Sequence, residues 1–231
     1  MFTLALRKFE PVLVLFALQC HMRNVMLHFN MKKIERQKAK ELLAKSRIKL
    51  LQESERLQIL ETSYYFLDRS YCSDDDNFEE YIEELIRENG NLPTLNKQTI
   101  KLIKDQEYLN QPFNKGLEPI FLEALIDELY GVTNDYIENL LNKEEKPNFK
   151  VIGEVEKMGT CPCCEYNSIG YGEDGFCDIC TICFWENGPA SANHMSLVEA
   201  RKNFQELGAI SKDSLKFIDP AGKIKYKKNE A

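Results

Sequence analysis

The hydrophobic residues between positions 32 and 66 recur at steps of three and four, which places side chains on one face of an α-helix. The positions that carry this pattern are Ile34, Leu42, Leu43, Leu50, Leu51, Leu57 and Leu60. Good helix formers fill most of the positions between them. The pattern therefore predicts one long helix over residues 32–66. The stretch 32–56 is net basic, but its mixture of Glu with Lys and Arg favours a solvated face.

Four shorter helices are predicted after this one, each bounded by residues that start or stop helices. Their predicted ranges are 78–88, 95–111, 118–129 and 134–144. Pro112 and Pro147 end two of them, because proline cannot continue a helix. Apolar residues surround much of the third, so we expect that helix at the centre of a bundle. Together these elements predict a helical domain over residues 31–147.

The period of the apolar pattern changes after Pro147. Phe149, Val151 and Val155 predict a strand. The region 160–192 is then rich in Gly, Asn, Ser and Asp, with few apolar positions. This composition predicts turns and loops around short strands.

A last helix is predicted over residues 197–207. Ser196 and Glu199 form a capping box at its start, and Gly208 ends it. The lysine-rich tail that follows, residues 223–228, is expected to be a solvated chain end.

The first 30 residues are not explained by any of these elements. Arg7 and Lys8 precede an apolar run over residues 11–18, which is too short to span a bilayer as a helix. The run is followed by a poor cleavage signal, since Gln19 precedes Cys20. Three interpretations are open: an over-extended reading frame with the natural start at Met31, a packed N-terminal helix, or an export signal.

The chain is acidic, with 37 Asp and Glu against 30 Lys and Arg and a net charge of −7. A general nucleic-acid binder is usually basic, so this balance argues against a nucleic-acid partner. The clustered cysteines suit a reducing, cytoplasmic compartment, where such thiols hold metal more often than they form disulfides. No membrane span is predicted.

Six of the eight cysteines lie between positions 161 and 183. Four of them form the pattern C-x2-C-x15-C-x2-C, and they are Cys161, Cys164, Cys180 and Cys183. Two C-x2-C turns that face each other place four sulfurs around one ion, with Zn–S distances near ~2.3 Å. The spacing predicts a structural Zn²⁺ site, with residues 167–175 between the turns as a hairpin tip.

Three further residues leave alternatives at this site. Cys177 and Cys180 also form a C-x2-C pair, so the spacing alone does not exclude Cys177 as a ligand. Cys163 adjoins Cys164 but points another way, which favours a small buried thiol or a sulfur beside the ligands. His194 can be a ligand, an acid–base group or a structural loop residue, and four better-spaced thiols favour the last.

The cysteine region resembles the CPCC-type cysteine-rich domain family, a group of mainly bacterial proteins. The matching residues are Cys161-Pro162-Cys163-Cys164, Ile179-Cys180, Cys183-Phe184-Trp185-Glu186, Asn193-His194-Met195-Ser196-Leu197, Glu199-Ala200-Arg201 and Asn203-Phe204. Glu165 departs from the family by replacing the usual Gly. Cys177 stands where members usually lack a cysteine, which favours Cys161, Cys164, Cys180 and Cys183 as ligands. The resemblance implies a compact cysteine-rich domain and no known reaction.

The predicted fold class is α+β, with an N-terminal helical region followed by a small zinc-ribbon-like β domain that carries a C-terminal helix. The predicted divisions are a doubtful extension over 1–30, a helical domain over 31–147 and a CPCC-type zinc-binding domain over 148–231. No nucleotide-binding, hydrolase or metalloprotease motif is found in the sequence.

Three classes of function are compatible with these features. The favoured one is a non-catalytic, zinc-stabilised module that binds another protein, such as a toxin or a regulatory protein. The second is a thiol redox protein that uses Cys163 or Cys177. The third is a zinc-ribbon protein that binds nucleic acid.

Overall fold

The structure is a computed structural model that describes residues 31–64, 96–104, 107–144, 148–189 and 192–229. Its class is α+β, as predicted from the sequence. The interpretations of residues 1–30 and the helix predicted over 78–88 lie outside the described residues. Among the described residues, no helix is both long and apolar enough to cross a membrane.

Two helices and a strand replace the single long helix that was predicted over residues 32–66. Strand β1 is Lys32–Glu35, helix α1 is Arg36–Ile48 and helix α2 is Glu53–Tyr64. The one-helix prediction is wrong at β1 because pairing with a distant strand overrides the local helical preference. It is wrong again between Ile48 and Glu53, where the chain turns and Leu51 enters the core.

Arg56 holds this turn in place. Its guanidinium donates to the carbonyl oxygen of Ile48 at the end of α1 (2.5 Å) and to that of Leu51 (3.3 Å). The rings of Phe113 and Phe121 lie on the same group, with centroids 4.8 and 4.9 Å from Cζ. The buried guanidinium therefore binds a carbonyl group at the C-terminus of α1, and the two aromatic rings stabilise its charge.

The remaining helices of the N-terminal region are α3 (Lys97–Lys104), α4 (Glu118–Asp127) and α5 (Asn134–Glu144). Helix α5 has its predicted bounds. Helix α3 is shorter than predicted and is followed by a 3₁₀ turn at Glu107–Leu109. Helix α4 is central, as expected, because Phe121 and Leu125 are buried and α4 contacts both α1 and α2.

Strand β2 is Phe149–Ile152, and it pairs with β1 in parallel, with Lys32 opposite Phe149 and Glu35 opposite Ile152. Val151 and Phe149 are buried in a cluster with residues of α1 and α5, so the sheet packs on the helices. The predicted domain boundary between residues 147 and 148 stays a prediction. It assigns β1 and β2, which pair with each other, to different domains.

Side chains of α5 occupy the other edge of β2, where a third strand would otherwise pair. Asn142 accepts from the Phe149 N–H (2.6 Å) and donates to the Phe149 carbonyl (3.0 Å). Glu138 accepts from the Val151 N–H (3.1 Å), and Asn134 donates to the Gly153 carbonyl (2.8 Å). The three side chains are four residues apart along the helix, which is a rise of ~6 Å, and their partners are two residues apart along the strand, which is a rise of ~6.6 Å. The spacing of the side chains on α5 therefore matches the spacing of the backbone groups that they bind.

Replacement of Asn142 by Ala is expected to lower the free energy of unfolding by about 2 kcal/mol, because two backbone groups of Phe149 lose their partner. Denaturant unfolding followed by circular dichroism measures the change. Asn139 is the matched control, since it lies exposed on the same helix. Equal effects of Asn142→Ala and Asn139→Ala would contradict the role given to this edge.

The cysteine-rich region contains strands β3 (Gly159–Thr160) and β4 (Asn167–Ile169), which are antiparallel. A 3₁₀ turn follows at Gly172–Gly175. The prediction of a single hairpin tip over residues 167–175 is therefore wrong, because β4 begins within it and pairs back to β3. Helix α6 is Leu197–Leu207, and it starts at its Ser196 cap and ends at Gly208 as predicted. Gly208 lies in the left-handed region.

The lysine-rich tail is not a solvated end, contrary to the prediction. Helix α7 is Gly222–Lys225, with Gly222 buried, and residues 226–229 then run beside the cysteine-rich region. The carbonyl of Lys227 accepts from Asn167 (2.9 Å), and the Asn229 N–H donates to Glu165 (2.8 Å). The backbone of the tail is paired even though the Lys227 and Lys228 side chains are exposed.

Candidate metal centre

The two C-x2-C segments fold into turns with the same backbone hydrogen bonds. In the first turn, the Cys161 N–H donates to the Tyr166 carbonyl (2.8 Å) and the Glu165 N–H to the Cys161 carbonyl (2.9 Å). In the second turn, the same two bonds join Cys180 to Trp185 (2.8 Å) and Phe184 to Cys180 (2.8 Å). Each turn therefore presents its two sulfurs in the same way.

Both turns need a residue in the left-handed region directly after the second cysteine. Glu165 has a φ of 66° and Phe184 a φ of 67°. Glycine adopts this conformation without a steric cost, whereas other residues are strained in it. The structure thus explains why the departure at Glu165 from the usual Gly matters.

Replacement of Glu165 by Gly is expected to raise the free energy of unfolding by about 1 kcal/mol, because it removes this strain. The carboxylate itself contributes little, since its contact with Lys228 spans 3.7 Å between exposed side chains. Thermal unfolding of the metal-loaded protein measures the gain. Glu165→Ala is the control, because it deletes the carboxylate and keeps the strain. A similar gain in both variants would contradict this account.

The structure brings the sulfurs of Cys161, Cys164, Cys180 and Cys183 together. All four residues are buried, and their sulfurs lie within 4.8 Å of one another. The Cys161–Cys183 and Cys164–Cys180 sulfur pairs are each 3.6 Å apart. A tetrahedron with metal–sulfur distances of ~2.3 Å has edges of about 3.8 Å. The four thiols are therefore placed where they can hold one metal ion.

The close contacts between the thiols shift the pKa values of Cys180 and Cys183 in opposite directions. Contact with Cys161 and then Cys164 lowers the pKa of Cys180, because those thiols donate to its sulfur. Contact with Cys161 and then with its other thiol neighbours raises the pKa of Cys183 well above its ordinary value. Four adjacent buried thiolates repel one another, so a bound cation is needed for all four to lose their protons.

Two polar groups point at the sulfur of Cys180. The Ile182 N–H donates to it (3.4 Å), and the Ser168 hydroxyl lies 3.1 Å from it. Hydrogen bonds of this kind stabilise a thiolate and orient it toward a metal. Ser168 lies in β4, so the strand that follows the first turn supports a sulfur of the second.

Helix α6 and the loop before it brace both turns. Arg201 donates twice to the Pro162 carbonyl in the first turn (3.0 and 2.9 Å). Asn193 is buried; it accepts from the Glu186 N–H and donates to the Glu186 carbonyl after the second turn, both at 2.8 Å. The sequence motif around these residues is thus a set of backbone contacts that hold the cysteine turns in position.

The other residues considered from the sequence lie outside the group of four sulfurs. Cys163 is buried against it, and contact with Cys183 lowers the pKa of the Cys163 thiol despite burial. Cys177 is exposed, with a φ of 66°, on the loop before the second turn. His194 is also exposed, in the loop before α6.

Several residues that support the centre are not apparent from the cysteine spacing. Arg201 and Asn193 are visible only as part of the motif, whose contacts the sequence does not reveal. The bonds that join Asn167 and Glu165 to the tail residues Lys227 and Asn229 carry no sequence signal, because backbone atoms make them.

These features define a ribbon-like, cysteine-rich domain with a four-thiol group that can hold a metal. Residues 159–223 match the family model described as Cysteine-rich CPCC, and this segment is called the CPCC domain below. The resemblance seen in the sequence is thereby confirmed. No curated protein and no solved structure gives a significant match to the chain.

Proposed function

We propose that the chain is a zinc-stabilised, non-catalytic module that binds another protein. The observation that carries the metal part is the group of four buried sulfurs, with pairs at 3.6 Å. Four thiolates in a tetrahedron suit Zn²⁺ or iron, and Zn²⁺ is the usual ion of closed structural sites. Cys161, Cys164, Cys180 and Cys183 are the proposed ligands.

The closed ligand set supports a structural role for the metal. A catalytic zinc keeps one position open for water or substrate, whereas four thiolates leave none. The exposed His194 is not among the residues of the four-thiol group. Clustered reduced thiols also support the cytoplasm as the compartment.

Exposed apolar residues on the CPCC domain support a protein partner. Phe176 is 65% exposed and Phe217 is 57% exposed. Phe217 stacks on Phe184 beside the second cysteine turn, with ring centroids 5.0 Å apart. Exposed aromatic groups held in a fixed position are typical anchors of protein interfaces. A toxin or a regulatory protein is the kind of partner we propose.

Two measurements test this function. Elemental analysis of protein purified without chelator should find about one zinc per chain; iron or no metal would contradict the proposal. Affinity capture from cells, with mass spectrometry, should recover a protein partner that Phe217→Ser loses. Leu50→Ser, an exposed position in the helical region, is the control that should retain it.

The exposure of Cys177 supports one alternative, a thiol redox protein. Brief alkylation of the native protein, mapped by mass spectrometry, should modify Cys177 well before Cys163. Loss of a thiol–disulfide exchange activity in Cys177→Ser would favour this alternative over the interaction module.

A further inference from the structure

Residues 225–229, called here the C-terminal strap, lie between the cysteine-rich region and the helices. Tyr226 packs against both regions. On one side it contacts the cluster that contains the four thiols, and on the other the cluster formed by α1, α5 and β2. Burial raises the pKa of Tyr226, in agreement with this position. The strap lies entirely beyond residue 223, where the CPCC family match ends.

On the cysteine-rich side, the strap pairs with the end of the first cysteine turn. Lys227 accepts from the Asn167 N–H (2.9 Å), and Asn229 donates to the Glu165 carbonyl (2.8 Å). Tyr166 and Lys228 form an antiparallel bridge between these two bonds. The strap thus adds a short strand beside residues 165–167.

On the helical side, the strap holds the residue that precedes α5. The Thr133 N–H donates to the Lys225 carbonyl (2.8 Å). The Lys225 side chain is fixed by Asp219 (2.6 Å) and lies 5.9 Å from the ring of Tyr136 in α5. These contacts join α5 directly to the strap.

The strap binds the Glu165 carbonyl and the Asn167 N–H, which adjoin the backbone groups that close the first cysteine turn. The Tyr166 carbonyl accepts from Cys161, and Glu165 donates to Cys161 and directly follows Cys164. Glu165 also occupies the strained left-handed conformation that the turn requires. A metal that fixes Cys161 and Cys164 therefore also fixes the edge on which the strap pairs.

We propose that metal binding and docking of the C-terminal strap onto the helical region are coupled. With the metal bound, the first turn presents residues 165–167 and the strap bridges them to Thr133. Without it, the turn loses its geometry, and the strap is released from α5. The proposal rests on the proposed metal site and adds a conformational change that reports metal occupancy at a distance. Coupling of this kind is reciprocal, so the strap must also strengthen metal binding.

Hydrogen exchange at two neighbouring amides tests the first half of this coupling. The Thr133 N–H bonds to the strap, whereas the Gly131 N–H bonds to Glu156 (3.0 Å). During titration of the zinc-loaded full chain with a zinc chelator, Thr133 exchange measured by NMR should rise at least tenfold. Gly131 exchange should change much less, because its partner lies outside the strap.

Trp185 is buried in the cluster with the thiols, so its fluorescence distinguishes failure of the coupling from failure of the metal site. If Trp185 reports metal loss while Thr133 exchange is unchanged, the coupling is wrong and the metal site stands. If Thr133 and Gly131 accelerate equally, the region unfolds as a whole, which also overturns strap release. A Trp185 emission spectrum that does not change on addition of zinc or chelator would contradict both the metal site and the coupling.

Variants of the strap test the reciprocal half. Tyr226→Ala should weaken zinc binding about tenfold in competition with a chromogenic chelator, because the ring that joins the two clusters is lost. Tyr226→Phe keeps the ring and loses only the hydroxyl's hydrogen bond with Thr181, so it should weaken zinc binding much less than Tyr226→Ala does. Lys227→Ala, with an exposed side chain, is the matched control. Unchanged zinc affinity in a folded Tyr226→Ala protein would overturn the coupling.

Discussion

Removal of the metal with a chelator is expected to unfold the CPCC domain while most of the helical signal persists. The domain has few buried apolar side chains besides its thiols, and such a region usually needs a metal to fold. Structural zinc supplies roughly 10–16 kcal/mol of apparent binding free energy in small finger peptides. A single core in a domain of fewer than about 80 residues rarely supplies more than about 3–5 kcal/mol, so loss of the metal outweighs that stability.

Trp185 and circular dichroism measure the two regions separately. Trp185 is the only tryptophan and is 6% exposed, so its emission should shift to the red as the domain opens. The helices have their own buried residues, which include Phe121 and Leu125, and should keep most of the far-ultraviolet signal. Loss of the helical signal at the same chelator concentration would show one cooperative unit. An unmoved Trp185 emission in metal-free protein would show that the metal does not hold the domain.

Two cysteine variants give the matched comparison for this prediction. Cys180→Ser should lower zinc content severely, since its sulfur lies among the four thiols and receives two further polar contacts. Cys177→Ser should retain zinc, because Cys177 is exposed outside that group. Zinc loss in Cys177→Ser with retention in Cys180→Ser would mean that the proposed ligand set is wrong.

Replacement of Glu156 by Gln is expected to lower the free energy of unfolding by about 3 kcal/mol at neutral pH. Glu156 accepts from Lys40 (2.7 Å) and from Arg36 Nε (3.1 Å), and both cations are buried. Removal of one partner from such a group leaves buried charges uncompensated, which is strongly destabilising. Glu154→Gln, at an exposed position in the same segment, is the control and should have little effect.

The loss should depend on pH in a defined window. Burial raises the pKa of Glu156, but hydrogen bonds from Arg36 and Lys40 outweigh burial and lower the pKa to about 2, from an ordinary value of 4.5. The folded state therefore binds the proton less tightly than the unfolded state. The stabilisation is complete above pH 4.5 and is lost as the pH falls from about 4.5 toward about 2.

Denaturant unfolding of wild type and Glu156→Gln at several pH values tests this window. The difference between the two proteins should be constant above pH 5 and shrink below pH 4. Acid release of a metal affects both proteins, so it cancels in the difference. Glu123 titrates in another range, since burial first and Asp127 second raise its pKa to about 7. A difference that does not change down to pH 2.5 would contradict the assignment.

Elements with local signals could be predicted from the sequence, whereas elements that depend on distant partners could not. Helices α5 and α6 have their predicted bounds because Thr133 and Ser196 cap them and Gly208 ends the second. Strand β1 was missed, because its residues are good helix formers and only pairing with β2 makes them extended. The tail was misassigned because its pairing uses backbone atoms beside exposed lysines.

The four cysteines of the candidate site could be predicted from the sequence, whereas the residues that surround and support them could not. The spacing of Cys161, Cys164, Cys180 and Cys183 predicted the group that the structure brings together. Their role as zinc ligands stays a prediction. The spacing left Cys177 open, and its exposure in the fold is a long-range property that local sequence does not encode. The bracing by Arg201 likewise depends on how α6 returns to the first turn.

The pairing of β1 with β2 has a consequence for synthesis of the chain. Lys32 pairs with Phe149, which is made 117 residues later, so β1 has no partner until the whole helical region has left the ribosome. Closing so long a loop slows folding, since contacts between distant residues form after local ones. During that interval Ala39 and Leu43 of α1, which pack against β2 in one cluster, lack part of their cover. Truncated chains that end before residue 148 should therefore associate with chaperones or aggregate.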